Sequence, residues 1–130
     1  MTPSADHDRQ RKSLGVMGED MAVDFLEKKG YTILFRNYRC RSGEIDIIAR
    51  KKKLLCFIEV KTRRTRAFGA PQEAVTPRKQ HKIGRVALDF LQRHKLENHP
   101  ARFDVVAVDF SRGDGLIEFI ENAFELAEQP

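Results

Sequence analysis

Apolar residues near the start of the chain recur at the spacing of an α-helix. The stripe consists of Leu14, Met17, Met21, Phe25 and Leu26. The pattern predicts a helix that begins after Ser13, whose hydroxyl can cap it, and that ends at Gly30. Residues 1–12 show no such period and are predicted to be a mobile tail ahead of a single domain over residues 13–130.

Three runs rich in β-branched and aromatic residues follow, and each predicts a strand. They cover residues 31–38, 43–50 and 54–61. A basic loop over 39–42 separates the first two strands, and a run of three lysines separates the second from the third. Residues 63–75 contain glycine and proline and are predicted to form an irregular loop.

A second amphipathic helix is predicted after Thr76, with Pro77 in its first turn and an end at His99-Pro100. Its apolar stripe is Ile83, Val86, Ala87, Phe90 and Leu91.

The rest of the chain predicts strands over 103–110 and 116–120 and a short acidic helix over 121–128. The order αβββαββ predicts one α/β domain with a mixed central sheet flanked by helices.

The composition indicates a globular chain. Its 130 residues are 41% hydrophobic and 33% charged, and the longest uncharged apolar run, 54–58, is far short of the roughly 20 residues of a membrane span. The first residues lack the pattern of a secretory signal. Cys40 and Cys56 are too few for a disulfide framework and lack metal-ligand spacing. We therefore expect a cytoplasmic protein.

Positive charge is concentrated in the middle of the chain. Residues 36–82 contain fourteen Lys or Arg and only four acids, whereas residues 103–130 contain seven acids and one Arg. A basic block of this kind is what a phosphate-backbone binder needs, because neutralised phosphates release their counterions. Charge alone is equally consistent with a solvated basic surface, so it suggests a polyanion without naming a chemistry.

The two strands around the triple lysine place charged residues opposite one another. If the turn centres between Lys52 and Lys53, facing residue numbers add to 105, so Asp46 faces Glu59 and Glu44 faces Lys61. These four residues share one face, because strand side chains alternate. The other face is apolar and is predicted to be core, with Ile45, Ile47, Ala49, Cys56, Ile58 and Val60.

Facing carboxylates repel each other unless a positive charge lies between them. Mg²⁺ is typically held by one or two carboxylates together with waters and substrate phosphates. The hairpin therefore predicts a metal site at Asp46 and Glu59. An ordinary surface hairpin with cross-strand salt bridges would explain Glu44 with Lys61, but it would not explain Asp46 opposite Glu59.

The same residues resemble the Asp…Glu-x-Lys signature of the restriction-endonuclease-like (PD-(D/E)xK) nuclease superfamily. The chain is most similar to the YraN-type family of small bacterial proteins, described as endonuclease-like and related in fold to archaeal Holliday-junction resolvases. The matching residues are Gly18-Glu19, Ala22, Gly30-Tyr31, Arg36-Asn37, Gly43-Glu44-Ile45-Asp46, Ile58-Glu59-Val60-Lys61, Gly69, Lys79, Arg102-Phe103-Asp104 and Asn122-Ala123-Phe124.

The resemblance implies an αβββαβ core and a catalytic centre. Asp46 and Glu59 would bind Mg²⁺ or Mn²⁺, Lys61 would be the catalytic lysine, and Glu19 would add an acid from the first helix. Glu44, on the same face, is a further candidate. The residues expected to contact nucleic acid are Arg36, Arg39, Arg41, Lys51, Lys52, Lys53, Arg63, Arg64, Arg66, Lys79 and Lys82. Since junction resolvases work as pairs, the resemblance also suggests a homodimer.

Three functions follow from these observations. The first is a metal-dependent endonuclease that acts on DNA, including branched or structured DNA. The second is a non-catalytic nucleic-acid-binding module that keeps the nuclease fold. The third is a protein-interaction subunit whose acidic C-terminal segment binds a basic partner; its acids are Glu118, Glu121, Glu125 and Glu128.

Overall fold

A computed structural model describes residues 3–64 and 75–125. Its elements, in chain order, are helix α1 (Pro3–Lys28), strands β1 (Thr32–Cys40), β2 (Gly43–Lys51) and β3 (Leu54–Arg63), helix α2 (Pro77–Arg93), and strands β4 (Ala101–Asp109) and β5 (Leu116–Phe124).

The five strands form one sheet in the order β1-β2-β3-β4-β5. All neighbours are antiparallel except β3 and β4, which are parallel and are connected through α2. This arrangement confirms the predicted α/β class and is compatible with a restriction-endonuclease-like αβββαβ core. Neither helix has the length and apolar character that a membrane crossing requires, over the residues described.

Each face of the sheet has its own apolar core. On one face α2 buries all five residues of its predicted stripe against side chains such as Ile48, Phe57 and Val105. On the other face Ala22 and Leu26 of α1 contribute to a cluster with Ile47, Ile58, Val106 and their neighbours. Burying an aliphatic side chain of this size stabilises the fold by about 1.5–3 kcal/mol, so both helices are held by their packing on the sheet.

The predicted start of the first helix is wrong. The helix runs back to Pro3, and Ser13 lies inside it rather than capping it. Residues 3–12 lack an apolar stripe, but they include Ala, Arg, Gln and Lys, which are good helix formers, so a missing stripe does not stop the helix. Met17, predicted on the buried face, is 48% exposed.

The second helix begins where predicted but ends earlier. Thr76 accepts a hydrogen bond from the Lys79 N–H and caps the helix, with Pro77 in the first turn. The helix ends at Arg93, before the predicted His99-Pro100. Lys95 has a φ of 56°, and the N–H of Leu96 donates to the carbonyl of Leu91 at 2.8 Å. This closing pattern usually uses glycine, and Lys95 stands in its place, so the end of the helix could not be predicted from the residue types.

The predicted acidic helix over 121–128 is also wrong in its described part, since β5 continues to Phe124. Phe124 pairs with Phe103 of β4, and their rings stack at 5.0 Å. The buried carboxylate of Asp104 accepts a hydrogen bond from the Asn122 N–H at 2.8 Å and holds the extension of β5 in place. Residues 126–128, Arg66 and most of the predicted loop over 63–75 lie outside the described residues.

Candidate active site

The hairpin register agrees with the prediction up to the carboxylates and then changes. The pairs from Lys51 opposite Leu54 to Ile47 opposite Ile58 all follow the predicted register. Beyond Ile47 the carboxylate of Asp46 accepts a hydrogen bond from the Val60 N–H at 2.8 Å. The Glu59 carboxylate in turn accepts one from the Asp46 N–H. Side-chain oxygens thus accept the hydrogen bonds that backbone carbonyls would accept if the regular pairing of β2 with β3 continued beyond Ile47.

At Asp46 the side chains of β2 depart from the regular alternation between the two faces of the sheet. Ile45 packs in the apolar core on the face of the sheet that α2 covers, whereas Ile47 packs in the core on the face that α1 covers. Residues two apart in a regular strand would share a face. The predicted grouping of Ile45 with Ile47 on one apolar face is therefore wrong. On the neighbouring strand Asn37 has a φ of 53° at the same level, between Arg36 opposite Ile47 and Tyr38 opposite Ile45. Local irregularities of this kind re-aim side chains and often lie beside active sites.

The structure brings Asp46 and Glu59 into direct contact. Their carboxyl groups form a hydrogen bond with each other. Burial raises the pKa of Asp46, and burial together with the neighbouring Asp46 carboxylate raises the pKa of Glu59 to about 8. The pair therefore holds a proton more tightly than two separate carboxyl groups would, and this shared proton favours the contact between them.

Lys61 lies beside this pair, half-buried on β3. Burial lowers the pKa of Lys61, and the nearby ammonium of Lys79 on α2 lowers it further, while Glu59 and Asp46 act in the opposite direction. Glu44 does not face Lys61 as predicted. Its carboxylate is exposed and accepts a hydrogen bond from Arg39 at 2.7 Å across the β1–β2 turn.

Glu19 of α1 approaches the pair from the other side. A cavity of about 420 Å³ opens there, lined by Gly15, Val16, Glu19, Asp46, Val60 and Thr62. Burial raises the pKa of Glu19, and the Asp46 carboxylate raises it further. The Oε1 atom of Glu19 is buried without a hydrogen-bond partner in the described residues and lies 4.0 Å from Arg36 Nη2.

Two residues without a predicted role position this acid. A Cβ atom at Gly18 would overlap the side chain of Thr62, so glycine allows α1 to approach β3 closely. Asn37 donates a hydrogen bond to the Glu19 side chain, which lowers the pKa of Glu19 against the effect of burial. A glycine inside an apolar helix is a usable sequence signal, because it is tolerated there mainly where backbones come close. Asn37 gave no comparable signal.

The predicted nucleic-acid contacts fall into two groups by position. The first group lies toward the end of the hairpin away from the triple lysine: Lys79 beside Lys61, Lys82 further along α2, Arg36 on β1, Arg63 and Arg64 at the end of β3, and Arg39 and Arg41 at the β1–β2 turn. The second group comprises Lys51, Lys52 and Lys53 at the opposite end of the hairpin. At about 3.3 Å per residue, Lys51 is roughly 17 Å along β2 from Asp46. The Lys51 ammonium lies over the Tyr31 ring at 4.9 Å.

The donor set suits a hard divalent cation. Asp46 and Glu59 already touch, and the unpartnered Glu19 oxygen lies by the same cavity, so carboxylate oxygens of the kind that Mg²⁺ and Mn²⁺ prefer are present. No three His, Cys, Asp or Glu side chains within 3–64 and 75–125 form a ready-made metal cluster. A cation here would therefore have two protein ligands and complete its coordination with water or substrate oxygens.

The chain is thus an α/β protein whose fold is compatible with a restriction-endonuclease-like core and which carries a carboxylate pair and a lysine at the edge of a hairpin. The chain belongs to the uncharacterised protein family UPF0102, whose sequence profile matches residues 18–108. This confirms the resemblance to the YraN-type family.

Curated relatives match almost the whole chain. A UPF0102 protein of Geobacter sulfurreducens is 51% identical over 126 residues, which cover 96% of this chain and 98% of the relative. A UPF0102 protein of Caldicellulosiruptor saccharolyticus is 48% identical over 116 residues, which cover 88% of this chain and 98% of the relative. Among solved structures, Pyrococcus furiosus SfsA in complex with Ca²⁺ is similar with a TM-score of 0.33 and 11% identity, over 90% of this chain and 65% of that chain. A likeness at this level carries no argument about function.

Proposed function

We propose that this protein is a metal-dependent endonuclease that hydrolyses phosphodiester bonds in DNA, with branched or structured DNA as a candidate substrate. The observation that carries the proposal is the contact between the Asp46 and Glu59 carboxyl groups beside Lys61. Burying two acids against each other raises the pKa of both, and a purely structural hairpin gains nothing from that arrangement.

Asp46 and Glu59 would hold Mg²⁺ or Mn²⁺, and Glu19, which lines the same cavity as Asp46, would bind a metal-coordinated water. The cation would supply a charge that polarises a phosphoryl oxygen and a water of lowered pKa. The Glu59 proton must leave before both carboxylates bind a cation, so metal binding and proton release are coupled.

Lys61 contributes positive charge where negative charge develops on the phosphate, and it can orient the attacking water. Burial and the nearby Lys79 lower the pKa of Lys61, because two ammonium groups repel each other at this position. A phosphate bound between them would stabilise the charged form of both. Arg36, Arg63 and Arg64 lie at the same end of the sheet and would bind neighbouring phosphates.

A cytoplasmic location and a homodimer are further parts of this proposal.

A first experiment titrates Mn²⁺ into the wild-type protein and into Asp46→Asn by calorimetry, with and without a short branched DNA. We expect binding that is lost in the variant. Cleavage of supercoiled and branched DNA is then measured with Mg²⁺ or Mn²⁺. We expect Asp46→Asn and Lys61→Ala to lose activity and Glu118→Gln, an exposed acid on β5, to retain it. Activity that persists in both site variants would refute the assignment.

A non-catalytic nucleic-acid-binding module is the second candidate. It is favoured by one observation: the described residues hold no ready-made cluster of three metal ligands. This alternative predicts salt-dependent binding to nucleic acid that Mn²⁺ does not change and that leads to no strand scission. The calorimetric titration separates the two functions before any substrate is known.

A further inference from the structure

The outer face of α2 carries a row of exposed basic side chains: Arg78, Lys82 and Arg85. Their spacing of i, i+4 and i+7 places them along one side of the helix, and we call this row the α2 ridge. Within the described residues no acid forms an ion pair with any of the three. By contrast, Arg36 and Arg39 are each neutralised by a neighbouring carboxylate.

The helix on the opposite face of the sheet has a different charge. The exposed side chains of α1 in its described part include Asp20, Asp24 and Glu27, balanced by Lys28 at the end of the helix. Lys28 is itself paired with Asp24 at 2.8 Å. Among the described side chains of the two helices, the unpaired positive charge on α2 attracts a polyanion more strongly than the largely acidic exposed side of α1 does.

The α2 ridge begins at the proposed catalytic centre. Lys79, next to Arg78 in sequence, is the residue whose ammonium lies against that of Lys61. From Arg78 the ridge continues along the outer side of α2 to Arg85. The ridge stops there, because the next residue on the same side is Asp89, which accepts a hydrogen bond from Tyr38 and pairs with Arg93 at 3.6 Å.

The length of the ridge matches a short stretch of one nucleic-acid strand. At 1.5 Å of rise per residue, Arg78 and Arg85 are about 10 Å apart along the helix axis. Phosphates on one strand of duplex DNA are separated by about 3.4 Å along the duplex axis, so this length covers about three steps. Three unpaired cations on long side chains can therefore each meet one phosphate.

We propose that the α2 ridge binds three phosphates within a stretch of four consecutive ones on the strand that enters the catalytic centre, on one side of the bond to be cut. This inference rests on the proposed function and extends it, because it states which face of the sheet the substrate covers. The substrate must then continue as a backbone for about three nucleotides beyond the reacting phosphate on that side.

Fluorescence anisotropy with a labelled duplex DNA tests the ridge, with a metal chelator present so that no cleavage occurs. The dissociation constant is measured over a series of salt concentrations for the wild type and for Lys82→Gln with Arg85→Gln. The control is Lys28→Gln with Lys29→Gln, which removes two exposed charges, one from the last residue of α1 and one from the residue after it. We expect the slope of log Kd against log salt to fall by about 2 in the α2 variant, at about 0.9 per phosphate contact, and not to change in the control.

The outcomes distinguish this inference from the proposed function. Equal loss in both double variants would indicate general electrostatic attraction and would overturn the ridge. If the α2 variant has the same slope of log Kd against log salt as the wild type, the ridge proposal is overturned as well. That result would not affect the proposal that Mn²⁺ binds at Asp46. Asp46→Asn, which removes the proposed metal ligand, should retain the wild-type salt slope. If the wild type does not bind duplex DNA, the ridge proposal fails whatever the metal titration shows.

Discussion

The carboxylate of Asp46 accepts a hydrogen bond from the Val60 N–H at 2.8 Å and takes the place of a backbone carbonyl between β2 and β3. The same residue is thus a structural part of the hairpin and a proposed metal ligand. Its two roles require different substitutions to separate them.

Replacing Asp46 with alanine should destabilise the fold as well as abolish metal binding. Asp46→Ala leaves the Val60 N–H without its partner, which costs about 1–3 kcal/mol. Asp46→Asn keeps an acceptor oxygen and should remain close to the wild type in urea-induced unfolding. An alanine variant as stable as the asparagine variant would show that the Val60 hydrogen bond contributes nothing measurable.

The metal-free protein should lose stability as pH rises. The pKa of Glu59 is raised from 4.5 to about 8, so the folded state binds this proton more tightly than the unfolded state. The resulting contribution is complete below about pH 4.5 and is lost by about pH 8, where we expect a fall of up to about 5 kcal/mol in the free energy of unfolding. Urea unfolding with a chelator at several pH values measures it, and Glu59→Gln should flatten this fall.

Mn²⁺ should reverse that loss by displacing the proton. Binding to the folded state alone raises the free energy of unfolding by about 2.7 kcal/mol at a free metal concentration of 100 times Kd. The increase should be larger at pH 8 than at pH 6. At pH 8 a smaller fraction of the Glu59 carboxyl groups is protonated, so Mn²⁺ displaces fewer protons when it binds. A thermal shift that is equal in the wild type and Glu59→Gln would contradict the assignment of Glu59 as a ligand.

Two glycines of α1 should respond in opposite directions to alanine. Gly18→Ala forces a Cβ into the Thr62 side chain and should destabilise the fold by about 1–3 kcal/mol. Gly15→Ala meets nothing within 4 Å and should stabilise the helix by about 0.5–1 kcal/mol. Thermal unfolding measures both changes, and adding Thr62→Ala should restore most of the stability lost in Gly18→Ala. Without that recovery, the contact with Thr62 is not the cause.

Removal of the Asp104 carboxylate should be the most costly change outside the site. Asp104 is fully buried and accepts two hydrogen bonds from Arg102, at 2.7 and 3.0 Å, and one from the Asn122 N–H. Asp104→Ala leaves these donors unpaired and should cost about 3–5 kcal/mol in urea unfolding. Glu118→Ala, at an exposed position of β5, should change stability by no more than about 0.5 kcal/mol.

The local spacing of apolar residues was enough to predict the elements that pack on the sheet through an apolar stripe of their own. The α2 stripe from Ile83 to Leu91 is buried as expected, since the spacing of apolar residues alone decides which side of an amphipathic helix faces a sheet. The hairpin register was predicted correctly from Ile47 onward because the turn between Lys52 and Lys53 sets it.

The remaining differences depend on distant partners. Residues 121–124 form a strand and not a helix, because Asn122 bonds to Asp104, eighteen positions earlier in the chain. Ile45 changes face because the carboxylates of Asp46 and Glu59 take over two hydrogen bonds of the backbone. The resemblance indicated which residues would meet at the candidate site, but their hydrogen bonds and the approach of α1 at Gly18 depend on tertiary contacts.

The parallel pairing of β3 with β4 has a consequence for the order of folding. The strands β1, β2 and β3 are joined by short turns, so their pairing closes only small loops, whereas β4 can join β3 only after the chain has crossed over residues 64–100. We expect the first three strands to form early and the crossover to be the slower step, since contacts distant in sequence delay folding. Asp46 and Glu59 would then meet in an early intermediate hairpin, and the cations of α2 would reach them only when the sheet is complete.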